Sequence, residues 1–274
     1  MSRIVLITGC SSGIGNALAR GFASHGDTVI ATARKPETLA DLEAAGCEIH
    51  GLDVNDEASI DALVAHIEAK HGKLDVLLNN AGVAAMGPII EVPAEVMRSV
   101  LETNTIAPVI MAQKCLRLLR FAEQPVIVQI GSVSGVLTTP FAGPYCASKA
   151  AVHCMMEALR IELQPFGIRV VTVQPGGIRS DIGNKAEAGV ASWLSGQSLY
   201  APIREGIMKR AQLSQQNATP AEDFTAALIK KLGSDPGTVW RIGHNSTTAV
   251  TIARWAPEKL RTRLLKRQAG LDQL

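Results

Sequence analysis

Arg3-Ile4-Val5-Leu6-Ile7-Thr8-Gly9-Cys10-Ser11-Ser12-Gly13-Ile14-Gly15 is the stretch on which the fold turns. A short apolar run rich in β-branched residues ends in a glycine-rich turn, and an amphipathic segment over 14–25 begins at once. Strand, turn and helix therefore follow one another as in a βαβ unit. Glycines in such a turn let the backbone bend tightly and approach a pyrophosphate, while the helix N-terminus offers free N–H groups and a partial positive charge to an anion. The apolar run reads as a first strand rather than a secretory leader.

Outward from this unit the alternation repeats. Strands are expected at 3–8, 28–33, 48–52, 75–78, 125–130, 169–174 and 238–242, several of them apolar at successive positions, as strands covered by helices on both faces are. Helices are expected at 14–25, 36–45, 57–71, 95–119, 145–166 and 221–232. Asp56 and Thr219 are predicted N-caps, the second with Pro220 at the first helical position. The pattern predicts an α/β fold with about seven strands in one doubly wound parallel sheet and a single domain over 1–274. Ligands are then expected at the carboxyl ends of the strands, where strand order reverses.

The totals exclude several functions. The 274 residues carry a formal net charge of +2 and are 47% hydrophobic, which supports a core and argues against a nucleic-acid partner. No apolar stretch approaches the roughly 20 residues of a bilayer span. Cys10, Cys47, Cys115, Cys146 and Cys154 are scattered without a C-x-x-C pair, so reduced thiols and a cytoplasmic location are expected. The six histidines show no ligand spacing, and no metal site is expected.

Tyr145 and Lys149 stand four residues apart and share one face of a helix. A phenol near pKa 10 is a poor acid or base at neutral pH, and an ammonium beside it, together with a positive oxidised nicotinamide, would stabilise the tyrosinate and bring that pKa down. At the end of the second strand, Ala33 stands where an acidic residue would bind the ribose hydroxyls of NAD. Arg34 and Lys35 follow and can grip a 2′-phosphate, so NADPH is expected in preference to NADH; the alternative is a solvated loop before Pro36.

The spacing T-G-x-x-x-G-x-G at Thr8 to Gly15 differs from the usual G-x-G-x-x-G. With Asp53, Asn79-Asn80-Ala81-Gly82, Asn104, Ser132, Tyr145-x-x-x-Lys149 and Pro175-Gly176 in order, it resembles the short-chain dehydrogenase/reductase family. The resemblance implies a Rossmann-type fold. It implies further that Gly9, Ser11, Ser12, Gly13, Ile14 and Gly15 hold the cofactor pyrophosphate, that Asp53 and Val54 hold the adenine, and that Asn80, Ala81 and Gly82 line the ribose. Asn79 would be structural. Tyr145 would be the general acid or base, Lys149 would bind the nicotinamide ribose, Ser132 would hydrogen-bond the substrate oxygen, and Asn104 would hold a water linking Lys149 to solvent. Pro175, Gly176, Ile178 and Ser180 would contact the carboxamide or phosphates, with Gly177 expected to loosen that loop.

The cues at Thr8 to Gly13, at Ala33-Arg34-Lys35 and after Ser180 are most similar to the branch of 17β-hydroxysteroid and retinol dehydrogenases and acyl-dihydroxyacetone-phosphate reductases. Val83, Ala84, Ala85, Met86, Val136, Leu137 and Phe141 should border the pocket, which suits a hydrophobic ketone or aldehyde. Arg179 could meet an anionic substrate, the cofactor phosphates or solvent. A rival reading, a 3-oxoacyl-thioester reductase, needs a basic patch for which Arg179, Lys185 and Arg204 are candidates. A second rival, an idle NADPH-binding sensor, is opposed by the intact Ser132, Tyr145 and Lys149.

Residues 181–218, with Trp193, Leu194, Leu199, Tyr200, Ile203, Ile207 and Met208 broken by glycines, form an irregular zone, either a substrate lid or a packed surface excursion. A basic amphipathic helix at 257–268 could rest on an anionic membrane or dock on the protein. The resemblance implies a homodimer or homotetramer paired through 103–120 and 145–164, to which Ala150, Ala151, Met155, Met156 and Leu159 are suited.

Overall fold

The structure is a computed structural model that describes residues 2–194 and 196–274, without the side chains of 185 and 191–193. The Lys185 and Trp193 side chains named above thus lie outside the described residues.

Strands β1 (Ile4–Ile7), β2 (Thr28–Ala33), β3 (Glu48–Gly51), β4 (Val76–Asn79), β5 (Val126–Ile130), β6 (Arg169–Pro175) and β7 (Val239–Ile242) form one sheet. Their order is β3-β2-β1-β4-β5-β6-β7 and every pair is parallel. All seven strands fall within a residue or two of the expected bounds. Parallel strands buried on both faces leave continuous apolar runs, and those are the easiest strands to read in a sequence.

Alternate strand residues feed two cores. Val5, Ile7, Val29, Val76, Val128 and Val171 point to one face, where α1 (Gly13–Ser24), α2 (Ala40–Glu43) and α9 (Ala221–Ser234) cover them. Leu6, Ile30, Leu77, Ile127 and Val170 point to the other, under α3 (Glu57–His71), α5 (Ala107–Leu119) and α6 (Gly143–Leu163). Phe22 of α1 and Phe224 of α9 are fully buried, each contributing about 2–3 kcal/mol by leaving water.

Local signals set the helix ends. The Asp56 carboxylate accepts the Ala58 N–H at 3.0 Å and caps α3, which stops at Gly72 in the left-handed region (φ 70°). Thr219 is not a cap. Helix α9 starts at Ala221 as expected, but Pro220 stands extended at the cap position, and the Thr219 Oγ1 accepts the His244 N–H at 2.9 Å instead.

The expected helix 95–119 is three pieces: α4 (Ala94–Leu101), a π turn at Glu102–Ile106, and α5. The irregular zone contains two helices, α7 (Ile182–Trp193) and α8 (Arg204–Ala211). Gly183 hid the first of them. Glycine costs a helix about 1 kcal/mol relative to alanine, yet here a Cβ would lie 2.6 Å from the Gln212 Oε1, so the residue serves close packing. Helix α10 (Ser246–Trp255) was also not expected, because Thr247, Thr248, Val250, Thr251 and Ile252 are poor helix formers. Helix α11 (Glu258–Gln268) lies at the expected place.

A third cluster sits above the carboxyl ends of the strands. Ala186, Val190, Leu194, Ile203, Ile207 and Ala211 pack on Met86, Phe141 and Cys146, and Ala269 closes the cluster from beyond α11.

Candidate active site

The chain leaves β1 towards β2 on one side and β4 on the other, so the ends of β1 and β4 splay apart, and a cavity of about 820 Å³ opens there. Gly9 makes the first turn at φ +74°, and a Cβ on it would lie 2.8 Å from the Ala81 Cα. A Cβ on Gly15 would lie 2.2 Å from the Gly9 carbonyl oxygen. The Thr8 Oγ1 ties this turn to β4 by accepting the N–H groups of Asn80 (3.0 Å) and Ala81 (2.9 Å). The Asn80 amide donates back to the Thr8 and Gly9 carbonyls at 2.8 and 3.1 Å.

The N-terminus of α1 opens into the cavity with no side-chain cap and no acidic residue in its first turn. Its free N–H groups and dipole therefore suit an anion such as a pyrophosphate. Gly9, Ser11, Ser12, Gly13, Ile14, Gly15, Arg34, Asp53, Val54, Asn80, Ala81, Gly82, Pro175, Gly176, Ile178 and Ser180, the residues expected at the cofactor, all line the cavity. Lys35 does not: it caps the 3₁₀ turn at Pro36–Leu39 and is exposed. The Arg34 side chain is exposed at the rim, beside buried Ala33. No acid therefore stands at the end of β2, and the donor set fits a dinucleotide with a 2′-phosphate.

Gly177 does not loosen its loop. Its N–H donates to the His244 carbonyl and its own carbonyl accepts the Thr219 N–H, both at 2.9 Å, and a Cβ would lie 2.7 Å from the Ser214 oxygen. The loop is pinned on both sides.

At the other end of the cavity stand Ser132, Tyr145 and Lys149. Ser132 follows β5, and its N–H donates to the His153 Nε2 at 3.3 Å while its Oγ accepts the Ser134 N–H at 3.0 Å. The Lys149 Nζ donates to the Ile130 carbonyl at 3.0 Å and stands 5.8 Å from the centre of the Tyr145 ring. Burial pushes the Lys149 ammonium down to about 8.

In the protein alone, Tyr145 does not show the expected fall. Burial raises the phenol above its ordinary value, and the Ser132 hydroxyl and the Arg210 charge, not the Lys149 ammonium, oppose that rise. Lys149 is turned to the Ile130 carbonyl and is itself starved of water.

Asn104 does not line the cavity; it stands behind it. The π turn presents its side chain to the segment after β4, where Oδ1 accepts the Val83 N–H at 2.9 Å and Nδ2 donates to the Val83 carbonyl at 2.8 Å. Nδ2 also donates to the Ser148 Oγ at 3.0 Å, and that hydroxyl donates to the Tyr145 carbonyl at 2.8 Å. Asn104 thus braces α6 under the tyrosine. Asn79 is structural, as expected, donating to the Pro108 carbonyl at 3.0 Å.

Of the predicted pocket wall, Val83, Ala84, Met86 and Leu137 line the cavity, while Ala85 and Phe141 are buried behind it and Val136 is turned away. Of the basic patch of the carrier reading, the two candidates with described side chains are engaged elsewhere, and Lys185 lies outside the described residues. Arg204 donates to the Leu194 carbonyl, and Arg179 is exposed on a groove between α1 and α9. Sequence reasoning missed Arg210, which α8 carries into the cavity. Its spacing from Ile203 and Ile207, seven and three residues, puts it on the buried face of α8, and that was the available signal. Away from the cavity, Glu48, His50 and His66 bring ligand atoms within 4.8 Å of one another, but the Glu48 carboxylate already pairs with Lys70 at 2.9 Å and His71 at 3.2 Å.

His153, packed over Gly131 and Gly135, is pushed down to about 4, first by burial and then by the Lys149 charge. An unfolded histidine near 6.5 takes up its proton earlier as pH falls. This contribution to stability is therefore complete above about pH 6.5 and is lost as pH falls towards about 4. Allowing for its partial exposure, the loss is on the order of 2 kcal/mol. Urea unfolding of the protein and of His153→Gln between pH 7 and 4 should show a shallower pH slope in the variant; equal slopes would remove His153 as the cause.

Residues 3–191 match the family model for short chain dehydrogenase. An NADPH-dependent 3-dehydrocapnine reductase from Ornithobacterium rhinotracheale is 41% identical over 68% of this chain and 69% of its own length. An NADPH-dependent 1-acyldihydroxyacetone phosphate reductase from Schizosaccharomyces pombe is 35% identical over 81% of this chain and 73% of its own. The crystal structure of a short-chain dehydrogenase from Streptomyces avermitilis superposes with a TM-score of 0.80 at 29% identity, covering 100% of this chain and 98% of that one. Together with the seven-stranded parallel sheet and the glycine turn at β1, these matches show that the chain belongs to the short-chain dehydrogenase/reductase family of oxidoreductases.

Proposed function

We propose that the protein reduces the carbonyl group of a hydrophobic ketone or aldehyde with NADPH. The observation that carries this reading is one cavity with an uncapped helix N-terminus and Arg34 at one end and Ser132, Tyr145 and Lys149 at the other. The two curated relatives described above are NADPH-dependent reductases. Bound NADPH would supply the hydride for the carbonyl carbon. The Ser132 Oγ–H would hydrogen-bond the carbonyl oxygen as charge builds on it. The Tyr145 Oη–H would then give that oxygen its proton, and Lys149 would hold the nicotinamide ribose. The apolar wall of Val83, Ala84, Met86 and Leu137 would exclude water and hold the substrate's carbon chain.

A panel of ketones and aldehydes followed by NADPH absorbance tests the reading, and no oxidation with any of them would overturn it. The cofactor preference has its own test. Arg34→Ala should raise KM for NADPH by about 10–100-fold, the worth of a charge-assisted hydrogen bond, and move KM for NADH by less than about twofold. Equal changes would remove Arg34 from 2′-phosphate recognition.

Two surfaces belong to the same reading. Ala150 and Met155 of α6, with Leu101 and Ile106 near the π turn, leave apolar side chains exposed, which supports a homodimer or homotetramer through these helices. Met156 belongs instead to the core under the sheet. Leu260 and Leu264 of α11 and Trp255 of α10 are exposed among Lys259, Arg263, Lys266 and Arg267, which supports contact with an anionic membrane surface. Gel filtration over a dilution series, and co-sedimentation with phosphatidylserine vesicles, decide the two. A cytoplasmic location is supported by five free thiols, four of them buried.

A further inference from the structure

The cavity holds a charged group that has no anionic partner among the described residues. Arg210 enters from α8 beside Tyr145, and its Nη2 donates to the Thr139 Oγ1. Its Nε is cut off from solvent and has no hydrogen-bond partner. Among the described residues no carboxylate lies within ion-pair distance of it. Asp181, an acid on the same cavity wall, is exposed and makes no pair with it. Burial holds the guanidinium below its usual range, with the nearby Tyr145 and Cys146 acting in the opposite sense.

A guanidinium withdrawn from water without a counter-ion destabilises a fold. It is tolerable in a cavity wall if a partner arrives with the ligand. Its flat fork of donors matches two oxygens of a carboxylate, phosphate or sulfonate, and among the described residues only its Nη2 has a hydrogen-bond partner. Met86, Leu137 and Leu213 of the same cavity wall are apolar, so an anion held there by the guanidinium would be screened less than at an open surface.

We propose that Arg210 receives an anionic group, a carboxylate, phosphate or sulfonate, carried by the ketone substrate close to its carbonyl. The substrate would then be an amphiphile, with its carbonyl at Tyr145, its anion at Arg210 and its apolar chain along the cavity wall. This inference rests on the carbonyl-reductase reading and narrows its substrate class.

The test compares matched ketones that differ only in charge: 3-oxododecanoate against its methyl ester, and a palmitoyl dihydroxyacetone phosphate against the same molecule without the phosphate. With the unaltered protein, kcat/KM for the charged member of at least one pair should exceed that for its neutral partner by about 30-fold or more. Inorganic phosphate should compete with the charged ketone, and not with NADPH. Arg210→Met should collapse the charged-to-neutral ratio to below about threefold, and Arg210→Lys should restore part of it, since the charge returns without the fork. NADPH affinity, measured by fluorescence titration, should change by less than about threefold in both variants, which also reports that they are folded.

A neutral ketone preferred in both pairs, or a ratio that survives Arg210→Met, would overturn the inference while leaving the reductase standing. Loss of NADPH binding in a folded Arg210→Met would assign the guanidinium to the cofactor and overturn it too. Reduction of no ketone of either kind would remove the reductase reading, and this inference with it. Should Arg210→Met not fold, the pairwise ratios and the phosphate competition on the unaltered protein decide the matter.

Discussion

Tyr145→Phe is expected to lower kcat/KM for carbonyl reduction by about 10³-fold or more, and to leave NADPH affinity within about fivefold. The ring of Tyr145 packs in the cluster of Met86, Phe141 and Cys146, and phenylalanine keeps that packing. Only the Oη–H is lost, and with it the proton donor for the carbonyl oxygen. The Ser132 hydroxyl remains, but it is a far weaker acid and its oxygen already accepts the Ser134 N–H. Paired titrations of NADPH binding and single-turnover reduction separate the two quantities. A variant with rates near those of the unaltered protein would take the acid role away from Tyr145 and reopen the choice of proton donor.

The second large effect lies at the other end of the cavity. Gly15→Ala should destabilise the fold by about 3 kcal/mol, a fall in Tm of roughly 6–9 °C for a domain of this size, and should weaken NADPH binding by more than about 30-fold. The added Cβ would stand 2.2 Å from the Gly9 carbonyl oxygen and 2.5 Å from the Asn80 Nδ2. Neither neighbour can retreat cheaply. The Asn80 amide fastens the turn to Thr8 and Gly9, and Thr8 in turn binds the backbone after β4. Relief of the clash must therefore move the glycine turn itself, and the helix N–H groups with it. Thermal denaturation with and without NADPH reads both effects, and an alanine variant with unchanged Tm and affinity would refute the close-approach argument.

Both predictions concern residues that are plain in the sequence, for a physical reason. A turn that must approach a phosphate needs glycine, and a proton relay on one helix needs a fixed spacing, so chemistry leaves a mark at the level of single letters. The strands were equally legible, because their apolar runs have no solvent face to interrupt them. What could not be read depends on neighbours distant in sequence. The rise in the Tyr145 pKa follows from how much of the chain closes over it, and no local spacing contains that information. The assignment of Thr219 as a cap failed because His244, 25 residues on, takes its hydroxyl. Helix α7 was obscured because Gly183, of a kind that weakens an isolated helix, sits close against Ala211 and Gln212 at the end of α8. Lys35 and Arg34 look alike in the sequence and differ only because the chain turns between them.

The π turn at Glu102–Ile106 bears on how this chain can change in length. Each residue of an α-helix rotates the next by about 100°, so one residue more or less between two faces reorients everything beyond it. Asn104 must face Val83 and Ser148 while Met111, Cys115 and Leu118 face the sheet, and the wide turn reconciles the two demands. Deletion of a single residue from it would force a choice between a packed helix and a braced tyrosine, which makes it a poor place for the gaps that surface loops absorb.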